Sequence, residues 1–501
     1  METKQQTDEN TETPLNIEDT DTLAQVEGVE NHTERENNGD SETKSDNLET
    51  DGLKDENAKS DNPETDGLKD ENTKIPTENK PSDIPLSKRK KWGEWIKSNP
   101  LTTLLITVIA GLLVFAIQTF VQKRIVHHRC YTKPYITFES DFTQVFRLSW
   151  EVPNLEYSVG ESKWKALGDQ NIVFGGNRGK LMLRGRSKTG TGRANISFAT
   201  DAQVICTGDI RTLVDYKHYD HTDTEQAVFR FLFDGCSQLV VAPELPATVL
   251  ADLCYSDMFR GCTSLKRAPE LPATALADLC YSDMFSGCTS LQRAPELPAT
   301  ALADLCYSGM FSGCTSLKRA LGLPAMALAD GCYSDMFYGC TSLEVAPELP
   351  ALALADWCYS GMFSGCILLE VAPELPAIVL ADGCYYGMFD GCTSLEIPPE
   401  LPATALAEWC YYGMFFGCSQ LVVAPELPAT ALAKWCYERM FDGCTSLSSV
   451  TMMAIDIINK GEFNHWLDGI SSSGTFYIDK NAQWSNEGIV PKNWEVKLIN
   501  P

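Results

Sequence analysis

Cysteine is the residue whose spacing most invites chemistry in this chain. Nine cysteines from Cys236 to Cys444 recur every 26 residues, and eight more, from Cys254 to Cys436, recur at the same interval. A thiolate ligates zinc, attacks an electrophile or closes a disulfide. Zinc takes four ligands, usually offered as close pairs. Here seven residues separate Cys254 from Cys262, and no histidine lies between Cys236 and Cys444. The same lack of histidine leaves a nucleophilic cysteine without a base. Disulfides meet a different objection. Side chains of one column in a stack point in parallel, which is poor bridging geometry, and the two registers together hold an odd number, 17. The expectation is a buried, reduced ladder in which cysteine packs as a small apolar side chain; pairing across registers, as of Cys254 with Cys262, is the alternative. His218 and His221, in KHYDH, are three apart and offer a pair of metal ligands, but a solvated linker is the simpler reading. No catalytic residue, metal site or cofactor is expected, and the chain reads as a non-enzyme.

A fixed period between 20 and 50 residues marks a stacked solenoid. Within one unit, SLKRAPEL (residues 264–271) reads as extended, with Leu265 inward and Pro269 blocking a helix. Thr274 is a good N-cap. A short helix is expected over residues 275–285, with Asp278 near its positive end and Gly287 as its stop. Leu276, Cys280 and Met284 then share one face. The predicted fold is an α/β leucine-rich-repeat solenoid, one strand and one short helix per 26-residue unit. It spans residues 222–447. TDTEQAVFRFLFDGC (residues 222–236) reads as its N-terminal cap. The period fades after Leu447, so residues 448–501 read as a separate C-terminal cap module, with Trp466, Phe476, Trp484 and Trp494 over the open end.

The CTSL, APELPATALAD and CYSDMFSGC pattern, over residues 229–447, resembles the BspA-like leucine-rich repeats of bacterial surface proteins of the Bacteroidetes type. NLEYSVGESKWKAL with ISFATDAQVICTGDI is similar to the β-rich module that often precedes such repeats, and WLDGISSSGTF with IVPKNWEV to their usual C-terminal cap. The resemblance implies a right-handed leucine-rich-repeat solenoid, surface display, and binding to host or bacterial surface proteins. This chain departs from the family in carrying an internal apolar span and a long acidic tail in place of a cleaved signal. That departure admits an inner-membrane protein facing the periplasm.

The elements ahead of the array are of three kinds. Residues 1–87 hold 25 Asp and Glu against 8 Lys and Arg, with no Cys, Phe, Trp or Tyr. Such a segment buries too little apolar surface to offset its folding entropy and is expected to be a disordered spacer. After a basic juxtamembrane segment, residues 88–100, LTTLLITVIAGLLVFAIQTFV (residues 101–121) runs 21 residues without charge. That is long enough for a transmembrane helix. Lys88, Arg89, Lys90, Lys91 and Lys97 precede the span, and Lys123, Arg124 and Arg129 follow it. This bias puts the N-terminus in the cytoplasm and the repeats outside it, in the periplasm or at the cell surface. Residues 130–216 then alternate as short strands, suggesting a β-sandwich or barrel, with Cys130 and Cys206 as a candidate pair. Arg184, Arg186, Lys188 and Arg193 read as solvated turn charges. The net charge of −27 argues against nucleic acid, whose phosphates need clustered cations.

Binding is what remains, and the columns that drift from unit to unit are its candidates. One runs Leu253, Leu279, Leu305, Gly331, Trp357, Gly383, Trp409, Trp435. A second runs Arg260, Ser286, Ser312, Tyr338, Ser364, Asp390, Phe416, Asp442, and Tyr386 and Tyr412 are further aromatics expected to be exposed. Exposed aromatics of this kind suit protein or glycan contact, or else pack between adjacent units. A third column sits on the strand: Lys266, Arg267, Arg293, Lys318 and Arg319 give way to Glu344–Val345, Glu370–Val371 and Glu396–Ile397. The recurring glutamates from Glu244 to Glu426 read as a solubilising edge. The expected function is protein binding by a membrane-anchored recognition module or adhesin. Glycan binding through the aromatics, or a periplasmic scaffold, are the alternatives.

Overall fold

A computed structural model describes residues 133–160, 162–455, 463–483 and 489–499. The acidic tail (1–87), the basic segment (88–100), the apolar span (101–121), Cys130 and Trp484 lie outside the described residues. No described helix is long and apolar enough to cross a membrane.

The chain enters through nine short strands: β1 (Ile136–Glu139), β2 (Gln144–Leu148), β3 (Leu155–Val159), β4 (Lys165–Ala166), β5 (Ile172–Phe174), β6 (Leu181–Gly185), β7 (Gly190–Gly192), β8 (Ile196–Phe198) and β9 (Val204–Thr207). Period-2 alternation buries one face of several of them, as Leu181 and Leu183 of β6 and Val204 and Cys206 of β9 illustrate. β2 pairs with β5 and β8 in one antiparallel sheet, while β9, β1, β6, β3 and β4 form the other in that order. Phe138 of one sheet meets Phe146 and Phe198 of the other at 5.7 and 5.9 Å between ring centres. Of the two forms expected, sandwich or barrel, the strands take the sandwich form, two sheets facing each other across these rings. Its basic residues are not all solvated, however: the Arg184 guanidinium lies 3.9 Å from the Trp164 ring and 4.2 Å from Tyr216, and pairs with Glu156 at 2.7 Å. The strand geometry turns Arg184 inward toward these aromatics, a neighbourhood that turn residues read in isolation do not reveal.

One α-helical turn, α1 (Thr212–Asp215), leads to the array. There β10 (Val228–Phe229) pairs with β7, and β11 (Leu239–Val241) adds to β9 in parallel. The sandwich and the repeats therefore share hydrogen bonds as well as a core, in which Phe138 lies 6.2 Å from Phe233.

The repeat is extended stretch and turn: between Val241 and Ser449 the expected strand of each unit is reduced to isolated parallel bridges, the expected helix over residues 275–285 is not formed, and no helix is described in the array. Alternate amides take two different partners. The N–H groups of Cys280, Ser282, Met284 and Ser286 donate three residues back, to Ala277, Leu279, Tyr281 and Asp283. Those of Tyr281, Asp283, Phe285 and Gly287 donate to Cys306, Ser308, Met310 and Ser312 in the next unit, at 2.7–3.0 Å. Every fourth residue is left-handed: Leu279 at φ 57°, Asp283 at 53° and Gly287 at 72°. The segment is thus a run of linked β-turns. Leu276, Cys280 and Met284, spaced by four, fit a four-residue turn repeat as well as they fit a helix, which is why periodicity misled. Thr274 caps no helix; its N–H donates to Thr248 of the preceding unit at 3.2 Å.

Stacking this coil aligns identical side chains. The buried tyrosines from Tyr255 to Tyr437 stack at 5.7–6.1 Å between ring centres. The phenylalanines from Phe233 to Phe441 stack at 5.3–5.8 Å. The strand stretch pairs in parallel, as at Arg319↔Val345, Val371↔Ile397 and Val423↔Ser449.

The coil also continues through part of the segment read as a separate cap. β12 (Ser449–Met452), β13 (Gly474–Asp479) and β14 (Trp494–Ile499) form a parallel sheet, with Ser449 opposite Thr475 one full period on. The Phe441 and Gly443 amides donate to Trp466 and Asp468, and His465 and Gly469 are left-handed. The terminal unit keeps the backbone plan while replacing the cysteines, so its sequence period is invisible. Trp466, Phe476 and Trp494 are buried in it.

Candidate functional site

The cysteines of both registers are buried thiols. In the first register each Sγ, from Cys262 to Cys444, donates to a phenylalanine carbonyl of the preceding unit at 3.0–3.2 Å. Burial pushes the Cys254, Cys280 and Cys288 thiols up to about 12, so they stay protonated. Cys206 is likewise a buried thiol. These groups are core. His218 and His221 are exposed beside Asp215 and Asp220, and no cluster of metal-ligating side chains occurs among the described residues.

The ten candidate binding residues divide between two stretches of the coil. Lys266, Arg267, Arg293, Lys318 and Arg319 are all exposed on the strand stretch. Of these, Lys318 pairs with Glu344 at 3.3 Å. Trp357, Trp409, Trp435, Tyr386 and Tyr412 lie on the turn stretch, where the structure brings the two aromatic columns together.

The backbone explains that meeting. A left-handed residue sends its side chain along the stack, over the next unit. Trp357 is left-handed at φ 56°, and its ring lies against Gly383. A Cβ on Gly383 would approach Trp357 Cε3, Cδ2 and Cζ3 to 2.5–2.7 Å. With that space open, Trp357 reaches across one unit to Trp409, at 6.2 Å, and to Tyr386, at 5.6 Å. Trp409 stacks on Trp435 at 4.9 Å and 11°, and Tyr386 on Tyr412 at 4.6 Å and 1°. The same rule acts four residues on, where Gly309 and Gly361 make room for the carboxylates of Asp283 and Asp335.

Trp357 remains 41% exposed, and the other four rings are half-buried. Two cations border the patch. Lys434 Nζ sits 3.4 Å from the Trp435 ring centre, and the Arg439 guanidinium 4.9 Å from Phe416. Arg439 also pairs with Asp442 at 3.2 Å. Beside the tryptophans runs a ladder in which each carboxylate from Asp278 to Asp382 accepts the next unit's N–H at 3.0–3.2 Å. Asp278, expected at a helix start, is part of it.

Sequence reading missed Lys434, Arg439 and the seating role of Gly383. The alternation Trp357, Gly383, Trp409 was its only visible sign. Comparison with family models, with curated proteins and with solved structures gives no match.

Proposed function

We propose that this chain is a non-catalytic recognition protein that binds other proteins through the aromatic patch of its late units. The patch itself carries the reading. Five tryptophan and tyrosine rings, bordered by Lys434 and Arg439, form a rigid, half-buried surface of the composition that dominates protein–protein hot spots. Ring stacking discriminates against the glycan alternative. A sugar packs on an open ring face, whereas Trp409, Trp435, Tyr386 and Tyr412 spend faces on one another. Trp357, exposed beyond Gly383, is the one ring that favours a glycan.

The uncharged 101–121 stretch and its basic N-terminal flank support a single-pass anchor with the repeats outside the cytoplasm. The resemblance to BspA-like repeats supports the same placement and the same class of partner.

The test compares full-length protein with a Trp357→Ala, Trp409→Ala, Trp435→Ala variant for capture of ligands from bacterial and host cell-surface fractions. The variant should bind on the order of 10-fold or more weakly, and protease treatment of the fractions should abolish capture. Unchanged binding by the variant overturns the reading. Binding that survives proteolysis but not glycosidase treatment replaces it with the glycan alternative.

A further inference from the structure

The strand stretch holds a second surface, separate from the aromatic patch, and its pattern is self-complementary. Two adjacent positions in each unit are exposed there. The first reads Lys266, Gln292, Lys318, then Glu344, Glu370, Glu396; the second reads Arg267, Arg293, Arg319, then Val345, Val371, Ile397. The change falls between the third and fourth of these units, where Lys318 and Glu344 pair at 3.3 Å. Val345, Val371 and Ile397 are 43%, 51% and 57% exposed. Such a row of aliphatic side chains in water is unfavourable unless something covers it.

We infer that this face is the contact between two copies of the chain, related by a two-fold axis at the Lys318–Glu344 boundary. A two-fold interface must present one patch that complements itself. The half-turn lays Lys266–Arg267 on Glu396–Ile397, Gln292–Arg293 on Glu370–Val371, and Lys318–Arg319 on Glu344–Val345. Each lysine meets a glutamate, and each arginine stem covers an aliphatic side chain while its guanidinium stays in water. The parallel alternative sets lysine on lysine and glutamate on glutamate. Glu270 and Glu296 flank the basic half and dilute its charge without reversing it, since five cations outnumber these two carboxylates. Six extended segments stacked at about 4.8 Å spacing form a strip about 29 Å long. That length belongs to a weak, salt-sensitive contact, such as copies held in one membrane make at high local concentration.

Zero-length carbodiimide coupling of the purified full-length chain provides the test, because it joins a lysine amine to a carboxylate only on contact. Lys318–Glu344 should link within one chain and serves as the internal control. Lys266 and Glu396 stand five units apart, about 24 Å along the stack, so a Lys266–Glu396 link reports a second copy. It should appear in covalent dimers at low salt and fall at least about 10-fold in 0.5 M NaCl. An all-acidic variant (Lys266, Arg267, Arg293, Lys318 and Arg319→Glu) and an all-basic one (Glu344, Glu370 and Glu396→Lys) should each sediment as monomers, and their mixture as heterodimers. Formation of the control link without Lys266–Glu396, or a mixture that stays monomeric while both variants remain folded, overturns the inference and leaves the face to another partner.

Discussion

Asp283 shows how much one residue's backbone decides. It is left-handed, it projects its carboxylate over Gly309, and it stands half-buried near Asp257. Loss of water around the carboxylate, and then the charge of Asp257, raise its pKa above the ordinary aspartate value. The folded state therefore holds the proton more tightly than the unfolded state. Its contribution to stability is full below the unfolded pKa of about 3.9 and is lost as pH rises through the folded value. Asp335 is raised for the same leading reason. Asp283→Asn keeps the shape and removes the charge, so it should raise the melting temperature at pH 7, with the gain vanishing below about pH 4. Thermal melts of parent and variant across pH 3–8 would check this; a variant less stable at pH 7 would show that the carboxylate is net favourable there. At this scale the sequence was a fair guide to polarity and a poor one to direction. In CYYGMF, Tyr385 stacks in the core while Tyr386 lies on the surface patch, and only the turn geometry separates them.

The linked-turn segment is the element on which sequence and structure part, and Gly309 tells the two apart. In a helix interior, replacing glycine by alanine is favourable by about 1 kcal/mol. Here Gly309 is left-handed at φ 61°, and a Cβ would stand 2.4 Å from Asp283 Oδ1. Gly309→Ala should therefore destabilise, by about 1–3 kcal/mol. Denaturant titration reads the sign directly. Gly413, at φ 56° with nothing within 4 Å of its missing Cβ, is the matched control and should cost only the backbone share. The element also explains the aromatic patch. Left-handed residues repeat every four positions, so Trp357 and Asp283 follow one rule, and the glycine after each is its seat. The extended stretch, by contrast, was partly legible: Leu265 is buried, as expected, but Lys266 and Arg267 are both exposed, which a regular alternating strand would not allow.

Across the whole described body, from the sandwich to the last coil, the buried side chains form one connected core. The junction carries an ion pair with few alternatives to itself. Arg211 and Asp209 meet at 2.7 Å with side chains only 6% and 4% exposed, and Arg211 also donates to the Thr222 carbonyl. Arg211→Ala would leave the Asp209 carboxylate buried without its cation, at a cost of about 3–5 kcal/mol. Calorimetry should then replace one cooperative transition with two, the sandwich and the array melting apart. A single transition at an unchanged temperature would show that the β9–β11 pairing and the shared core join the two without the ion pair. Further along, terminal coils that lack the cysteines still hold the backbone plan, so the array ends with Trp466 and Phe476 filling core positions rather than with an unrelated module.

The sequence by itself determined the period and most of the core columns, because identical side chains at a fixed interval in stacked copies must meet their own kind. It also determined the reversal of character along the strand, which needs no coordinates to read. Tertiary structure alone decided the conformation of the turn segment. There, alternate N–H groups find their acceptors one unit away, a choice that a single unit cannot make. It alone decided, too, that Trp357 would pass over Gly383 and join two aromatic columns into one surface, since that meeting depends on which way a left-handed residue points once the next coil is in place.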